Sequence, residues 1–138
     1  MVHGKEITVL TKGFSDIHDI TSEVQAAIEE SGATAGLVAI ASIGSTASIT
    51  TIEFEPALVQ DFRNKLEDFA PRDLESLHSQ TWGDDNGFSH IRASMMGPGI
   101  SLPFKDRKLI LGTWQQIVVI DHDNRPRKRR IYLQVVGE

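Results

Sequence analysis

The stretch SLHSQTWGDDNGFSHIRASMMG, residues 76–97, sets His78 and His90 on either side of Asp84, Asp85 and Asn86. A loop of that length can fold back so that both imidazoles meet one carboxylate. Such a set offers the nitrogen and oxygen ligands that a borderline divalent cation prefers. It equally suits proton transfer, for which imidazole is the usual side chain near neutral pH. The spacing matches neither an HExxH helix nor a zinc finger. Taken alone, it leaves open whether the two rings form a site or merely hydrogen-bond the turn.

Other residues are candidates only if folding brings them close. Glu53 and Glu55 in TTIEFEP, two apart, share a strand face. Glu55 is explained as a cap on the following helix, whereas Glu53 has no such explanation. Asp61 lies one turn into that helix, where a solvated carboxylate is the ordinary finding. In LGTWQQ, Gly112 inside a strand marks a bulge or a close approach. Trp114 is expected in the core rather than as a stacking platform, and Gln115 on the opposite face could read a polar ring edge. His3, His18 and His122 lack a comparable setting and are expected at the surface. The run RPRKRR, Arg125–Arg130, reads as a solvated hairpin turn, with an anion clamp as the functional alternative.

The 138 residues suffice for one domain with a real core, spanning 1–138, and 40% hydrophobic with 24% charged residues is globular composition. A net charge of -5 argues against nonspecific nucleic-acid binding. With no cysteine there is neither a disulfide framework nor a thiolate ligand, and the cytoplasm is the default compartment. No apolar run is long enough for a membrane span.

The elements that must position these residues follow from periodicity. EITVLT alternates as a half-exposed strand. DITSEVQAAIEESG predicts a helix capped by Thr21 or Ser22 and closed by Gly32. AGLVAIAS has the continuous apolar character of a strand buried on both faces, with ASITTIEFE as its antiparallel neighbour. Pro56 opens a second helix with Leu58, Phe62, Leu66 and Phe69 in one stripe, and Pro71 ends it. Residues 71–88 form the longest irregular stretch, followed by a short helix near SHIRASMMG, the strand ISLPF, the long strand LILGTWQQIVVID and the last strand RRIYLQVVG. Six or seven strands that often follow one another directly, with two main helices, predict an α+β fold with a mostly antiparallel sheet.

The order GSTASITTIEFEPALVQD, a histidine, an acid–Asn loop with SHIRASMMGPGISLPF, LILGTWQQIVVID and a terminal Arg-rich segment ending at Gly137 resembles the YjbQ-like family. That family is associated with secondary thiamine-phosphate synthase activity. The resemblance implies a compact α+β sandwich or pseudo-barrel assembled as a homotrimer. It also implies a polar site whose members here would be Thr46, Glu53, Asp61, His78, His90 and Gln115, so the family context favours both histidines as site residues. The implied reaction joins a pyrimidine carbinyl diphosphate to a thiazole phosphate with release of pyrophosphate. On that reading the substrate is a small phosphorylated heterocycle, bound by Thr46, Arg92, Trp114 and Arg129. His78, His90 and Asp84 would hold a divalent cation, zinc or magnesium, or the histidines would donate protons directly. The alternatives are a non-catalytic metal- or anion-binding trimer and a hydrolase of a small phosphorylated compound. This chain departs from the family pattern at Gly44, where many members carry a histidine, at Asp121, where glutamate is common, and at Arg107, in place of a turn glycine.

Overall fold

The structure is a computed structural model describing residues 1–138. Its elements are β1 (Val2–Thr11), β2 (Asp16–Asp19), α1 (Thr21–Ser31), β3 (Ala35–Ile43), β4 (Ala47–Ile52), α2 (Pro56–Phe69), α3 (Leu77–Trp82), α4 (Gly87–Met96), β5 (Gly99–Lys105), β6 (Lys108–Leu109), β7 (Gln116–Asp121) and β8 (Arg127–Gly137). Five strands form one antiparallel sheet in the order β1-β8-β3-β5-β6, and three form a second in the order β2-β7-β4. The result is the expected α+β class, a curled half-barrel sheet with a smaller sheet against it; α1 and α2 are the two main helices, α4 is the short helix expected near SHIRASMMG, and α3 is an addition.

Alternation along β8 explains the main core. Ile131, Leu133 and Val135 point inward to meet Val38 and Ile40 of β3, while Val24, Ala27 and Ile28 of α1 close over them. The small sheet contributes Ile49, Ile117 and Val119 to this core from one face. From its other face Ile17, Val118 and Ile120 meet Val59 and Phe62 of α2 and Met96 of α4. The three-stranded sheet is thus a middle layer, and β7 is therefore a continuous apolar run.

Several expectations require correction. The strand buried on both faces is β7 rather than β3. In β3, Leu37, Ala39, Ala41 and Ile43 face outward with nothing of this chain above them. Nor is β4 the neighbour of β3, which pairs with β5 and β8, while β4 pairs with β7. Gly44 at φ +138° helps carry the chain between the two sheets, a backbone conformation that favours glycine. The run LILGTWQQIVVID is not one strand: a turn over residues 110–115 separates β6 from β7, and Trp114 on it is 73% exposed instead of in the core. The Arg-rich segment is not a hairpin, because β7 and β8 belong to different sheets. Within β8 the arginines alternate, Arg129 buried and Arg130 outside, where it pairs with Glu6 at 2.8 Å. The first turn of α1 is steadied not by a Thr21 or Ser22 cap but by Asp19, which accepts from the Thr21 amide at 2.9 Å. Glu55 does cap α2, accepting from the Ala57 and Leu58 amides at 3.0 and 2.7 Å.

Candidate functional site

The stretch expected to be irregular contains α3, and α3 is what brings the histidines together. Ser76 caps it, accepting from the Ser79 amide at 3.0 Å, and Gly83 ends it in the left-handed conformation. The next helix, α4, starts at Gly87, where an added Cβ would lie 2.0 Å from Ser76 Oγ, so only glycine lets the starts of the two helices approach so closely. Across this junction His78 and His90 have ring centroids 4.5 Å apart, tilted by 43°. Asp84 Oδ1 lies 3.5 Å from His78 Nδ1 and accepts from the Asn86 amide at 3.1 Å. His78 Nδ1 is buried and has no hydrogen-bond partner. Both rings are half-buried, open enough to meet a small molecule.

Behind this pair stands a buried polar network. Arg129 of β8 donates Nε to Asp121 Oδ2 and Nη2 to Asp121 Oδ1, each at 2.7 Å, and Nη2 also reaches Thr46. Thr11 at the end of β1 donates to the same Asp121 carboxylate. Thr46 donates to Asp123 at 2.9 Å, and Arg127 pairs with Asp123 at 3.0 Å. Burial alone would raise the Asp123 carboxyl, but the bonds from Thr46 and Arg127, the Arg127 charge and the Asn86 side chain outweigh it and hold it below the usual carboxylate range. The adjoining Asn124 donates Nδ2 to the Asp84 carbonyl at 2.8 Å and its amide to Asn86 at 3.2 Å. The loop that carries the site is thereby fastened to the end of β7.

A second chain of bonds runs through His122. Expected at the surface, it is fully buried between Ser15 and Ser48, whose hydroxyl oxygens lie 2.7 Å from Nδ1 and 2.8 Å from Nε2. Arg92 donates Nη1 to Ser15 at 2.9 Å and Nε to the Ala70 carbonyl at 2.9 Å, with Glu67 3.2 Å from its Nη2. Because the Ser15 oxygen already accepts from Arg92, its proton is free for His122 Nδ1. The proton on Nε2 then points at Ser48, which gives one neutral tautomer with every bond made. Burial, together with the Arg92 charge, pushes His122 down to about 3, with Asp121 opposing and Arg129 reinforcing the shift. One signal of this burial was present in the sequence: only Asp121 separates His122 from the apolar run Ile117–Ile120 of β7.

The residues singled out in the sequence therefore fall into separate places. His78, His90 and Asp84 meet. Thr46, Arg129 and Arg92 lie in the buried network, the two arginines engaged with protein acceptors. Glu53 and Trp114 line a separate pocket of about 360 Å³, and Gln115 donates to Thr51 beside it at 3.1 Å. Asp61 is exposed on α2. Across the chain, no three histidine, aspartate or glutamate side chains converge as a cation would require. His78 lies against His90 on one side and near Asp84 on the other, and the three do not form such a group.

Comparison with known proteins agrees with this fold. Residues 5–138 match the family model described as UPF0047 protein YjbQ-like. A UPF0047 protein of Methanothermobacter thermautotrophicus is 34% identical over 137 residues, covering 99% of this chain and 94% of its own. The UPF0047 protein YugU of Bacillus subtilis is 30% identical, covering 96% and 98%. The crystal structure of a YbjQ-like protein of unknown function from Sulfolobus solfataricus superposes with a TM-score of 0.94 at 31% identity, covering 100% of this chain and 99% of that one. No helix of this chain is long and apolar enough to cross a membrane.

The neutral burial of His122 predicts a pH dependence of stability. Its folded value of about 3 lies below the ordinary 6.5. Between those limits the unfolded chain binds a proton that the folded one refuses, so stability is greatest above 6.5 and falls as the solution is acidified. The slope is about 1.4 kcal/mol per pH unit. Urea denaturation between pH 6.5 and pH 5 measures it, and His122→Gln, which keeps donors and acceptors for both serines, flattens it. A parent protein equally stable across that interval would show that the imidazole is not held neutral.

Proposed function

The chain belongs to the UPF0047 YjbQ-like family, and we propose that it is a small-molecule enzyme of the thiamine-phosphate synthase type in which His78 and His90 move the proton. The observation that carries this reading is the buried, unpartnered Nδ1 of His78, facing Asp84 while the ring lies against His90. A buried polar atom left without a partner is costly, and such groups cluster where a ligand or a transferred proton completes them.

The reaction breaks the carbon–oxygen bond of a pyrimidine carbinyl diphosphate, with the electron pair leaving on pyrophosphate. It forms a carbon–nitrogen bond from the lone pair of the thiazole nitrogen. That nucleophile has no proton to lose, so the protein's task is to place one proton on the departing oxygen and to steady its charge. His78 suits the donor role, because its protonated ring would form an ion pair with Asp84. His90, whose ring lies tilted against it, suits the relay to solvent. On this reading Arg92 and Arg129 act from behind, fixing α4 and the end of β7, rather than by touching substrate.

We also take the working form to be a homotrimer joined through the outward face of the five-stranded sheet. There Val2, Val136, Leu37 and Pro103 lie side by side across four strands. An uncovered apolar row of this kind is a usual mark of an interface.

Two measurements test these proposals. Pyrophosphate release from the two precursors should fall by about a hundredfold or more in both His78→Ala and His90→Ala, the ordinary contribution of a positioned acid or base. Equal rates in the parent and both variants would remove the enzyme reading. Light scattering should give three times the 15.3 kDa chain mass for the parent and a smaller species for Leu37→Asp. A monomeric parent would contradict the trimer.

A further inference from the structure

The solvent side of α2 carries a small basic hollow that neither the packing of the fold nor the proposed reaction uses. Gln60, Arg63, Asn64 and Glu67 line it from successive turns of the helix, and Phe14 and Arg72 close it. Its volume is about 130 Å³. That leaves room for an ion of phosphate size, whereas sites for drug-sized organic molecules begin at about 300 Å³.

Donors outnumber acceptors in this hollow. The only bond that the Arg63 side chain makes is from Nη2 to the Phe14 carbonyl, at 3.4 Å. Arg72 sits over the Phe14 ring, 4.4 Å from its centre, and of its guanidinium only Nε donates within the chain, to Glu67 Oε1 at 2.9 Å. Gln60 donates Nε2 to Asn64 Oδ1 at 2.9 Å, which leaves the Asn64 side-chain nitrogen as a further donor. Glu67 is the one acid on the wall, and both of its oxygens are engaged. Oε1 also lies 3.2 Å from Arg92 Nη2, and Oε2 accepts from the Arg72 amide at 3.3 Å. Burial would raise this carboxyl, but the bonds from Arg72 and Arg92 outweigh it and hold it below the usual range, so it stays ionised. Behind it the Arg92 side chain is fully buried, and its Nη2 has no hydrogen-bond partner. Three guanidinium groups therefore meet one carboxylate, in a chain whose net charge is -5.

A guanidinium stacked on an aromatic ring keeps its outer edge free for two-point bonds to an oxyanion. We infer that this hollow binds a small oxyanion of the phosphate type, held by Arg63 and the terminal nitrogens of Arg72, with Asn64 donating a further bond. Binding draws Arg72 toward the anion and leaves Glu67 Oε1 to Arg92, whose Nη2 gains the partner it lacks. Arg92 lies two positions beyond His90 on α4 and also bonds Ser15, so occupancy of the hollow firms the backing of the histidine pair. The site is separate from that pair and does not depend on the reaction proposed for it.

Calorimetric titration with inorganic phosphate, at ionic strength held constant with chloride, should show one saturable site per chain. Arg63→Gln should weaken binding by about tenfold or more, the size of a lost charge-assisted bond. Gln60→Glu, a change at an exposed position that sets a carboxylate in the hollow, should weaken it as much. Circular dichroism should be unchanged in both, and His78→Ala should bind as the parent does. Methyl phosphate identifies the source: equal binding marks the end group of a larger phosphate ester as acceptable, and binding of inorganic phosphate alone marks a free ion, each in keeping with the inference. No saturable binding, or parent-like affinity in both α2 variants, would overturn it. So would loss of binding in His78→Ala but not in Arg63→Gln, which would place the phosphate at the histidine pair.

Discussion

The two-point ion pair between Arg129 and Asp121 is the constraint on which the rest of the molecule depends. Asp121 ends β7 in the small sheet and Arg129 lies near the start of β8 in the large one, so the pair ties two layers that share no backbone ladder. Thr11 and Thr46 bring the ends of β1 and β4 to the same point. Removing one member of such a buried pair costs about 3–5 kcal/mol, because the survivor is left uncompensated, even where the pair as a whole adds little. Its contribution is therefore to specify the arrangement. Shifting β7 or β8 by one residue would turn a charge into an apolar layer.

The candidate site inherits its geometry from that junction. Asp123 and Asn124 follow Asp121 directly, and Asn124 holds the loop carrying Asp84 while Asn86 is buried beneath it. Arg92 and His122 brace α4 from the other side through Ser15 and Ser48. The histidine pair thus sits on short helices that are fixed at their bases and half-open at their tips, an arrangement that lets a site stay ordered without being sealed. Trp114 follows the same logic on a different connection, exposed on a turn that Gln115 locks.

What was legible in the sequence was whatever depends on local periodicity or local chemistry. The inward face of β8 and the Pro56 start and Glu55 cap of α2 belong to that class, whereas the spacing of His78 and His90 left their meeting open and only the family resemblance favoured it. What was not legible depends on which layer covers which face. β3 and β7 both read as apolar runs, yet only β7 lies between two layers. The outer face of β3 is uncovered in the chain, and no count of its residues could reveal that. Trp114 was assigned to the core on its residue type, although the Gly112–Gln115 turn that turns it outward needs a partner in Thr51, sixty-four positions away. His122 was expected at the surface for want of a chemical setting, but it and the acids on either side are buried, Asp121 against Arg129 and Asp123 against Arg127 of the next strand.

The account stands or falls on whether the network at the end of β7 holds the two imidazoles together. The direct measurement is the nuclear Overhauser effect between ring protons of His78 and His90, in the parent protein and in Asn124→Ala. A clear cross-peak in the parent that weakens in the variant, with amide protection of the β8 core unchanged, is the predicted result. A parent without the cross-peak, or a variant in which it is undiminished, would contradict it.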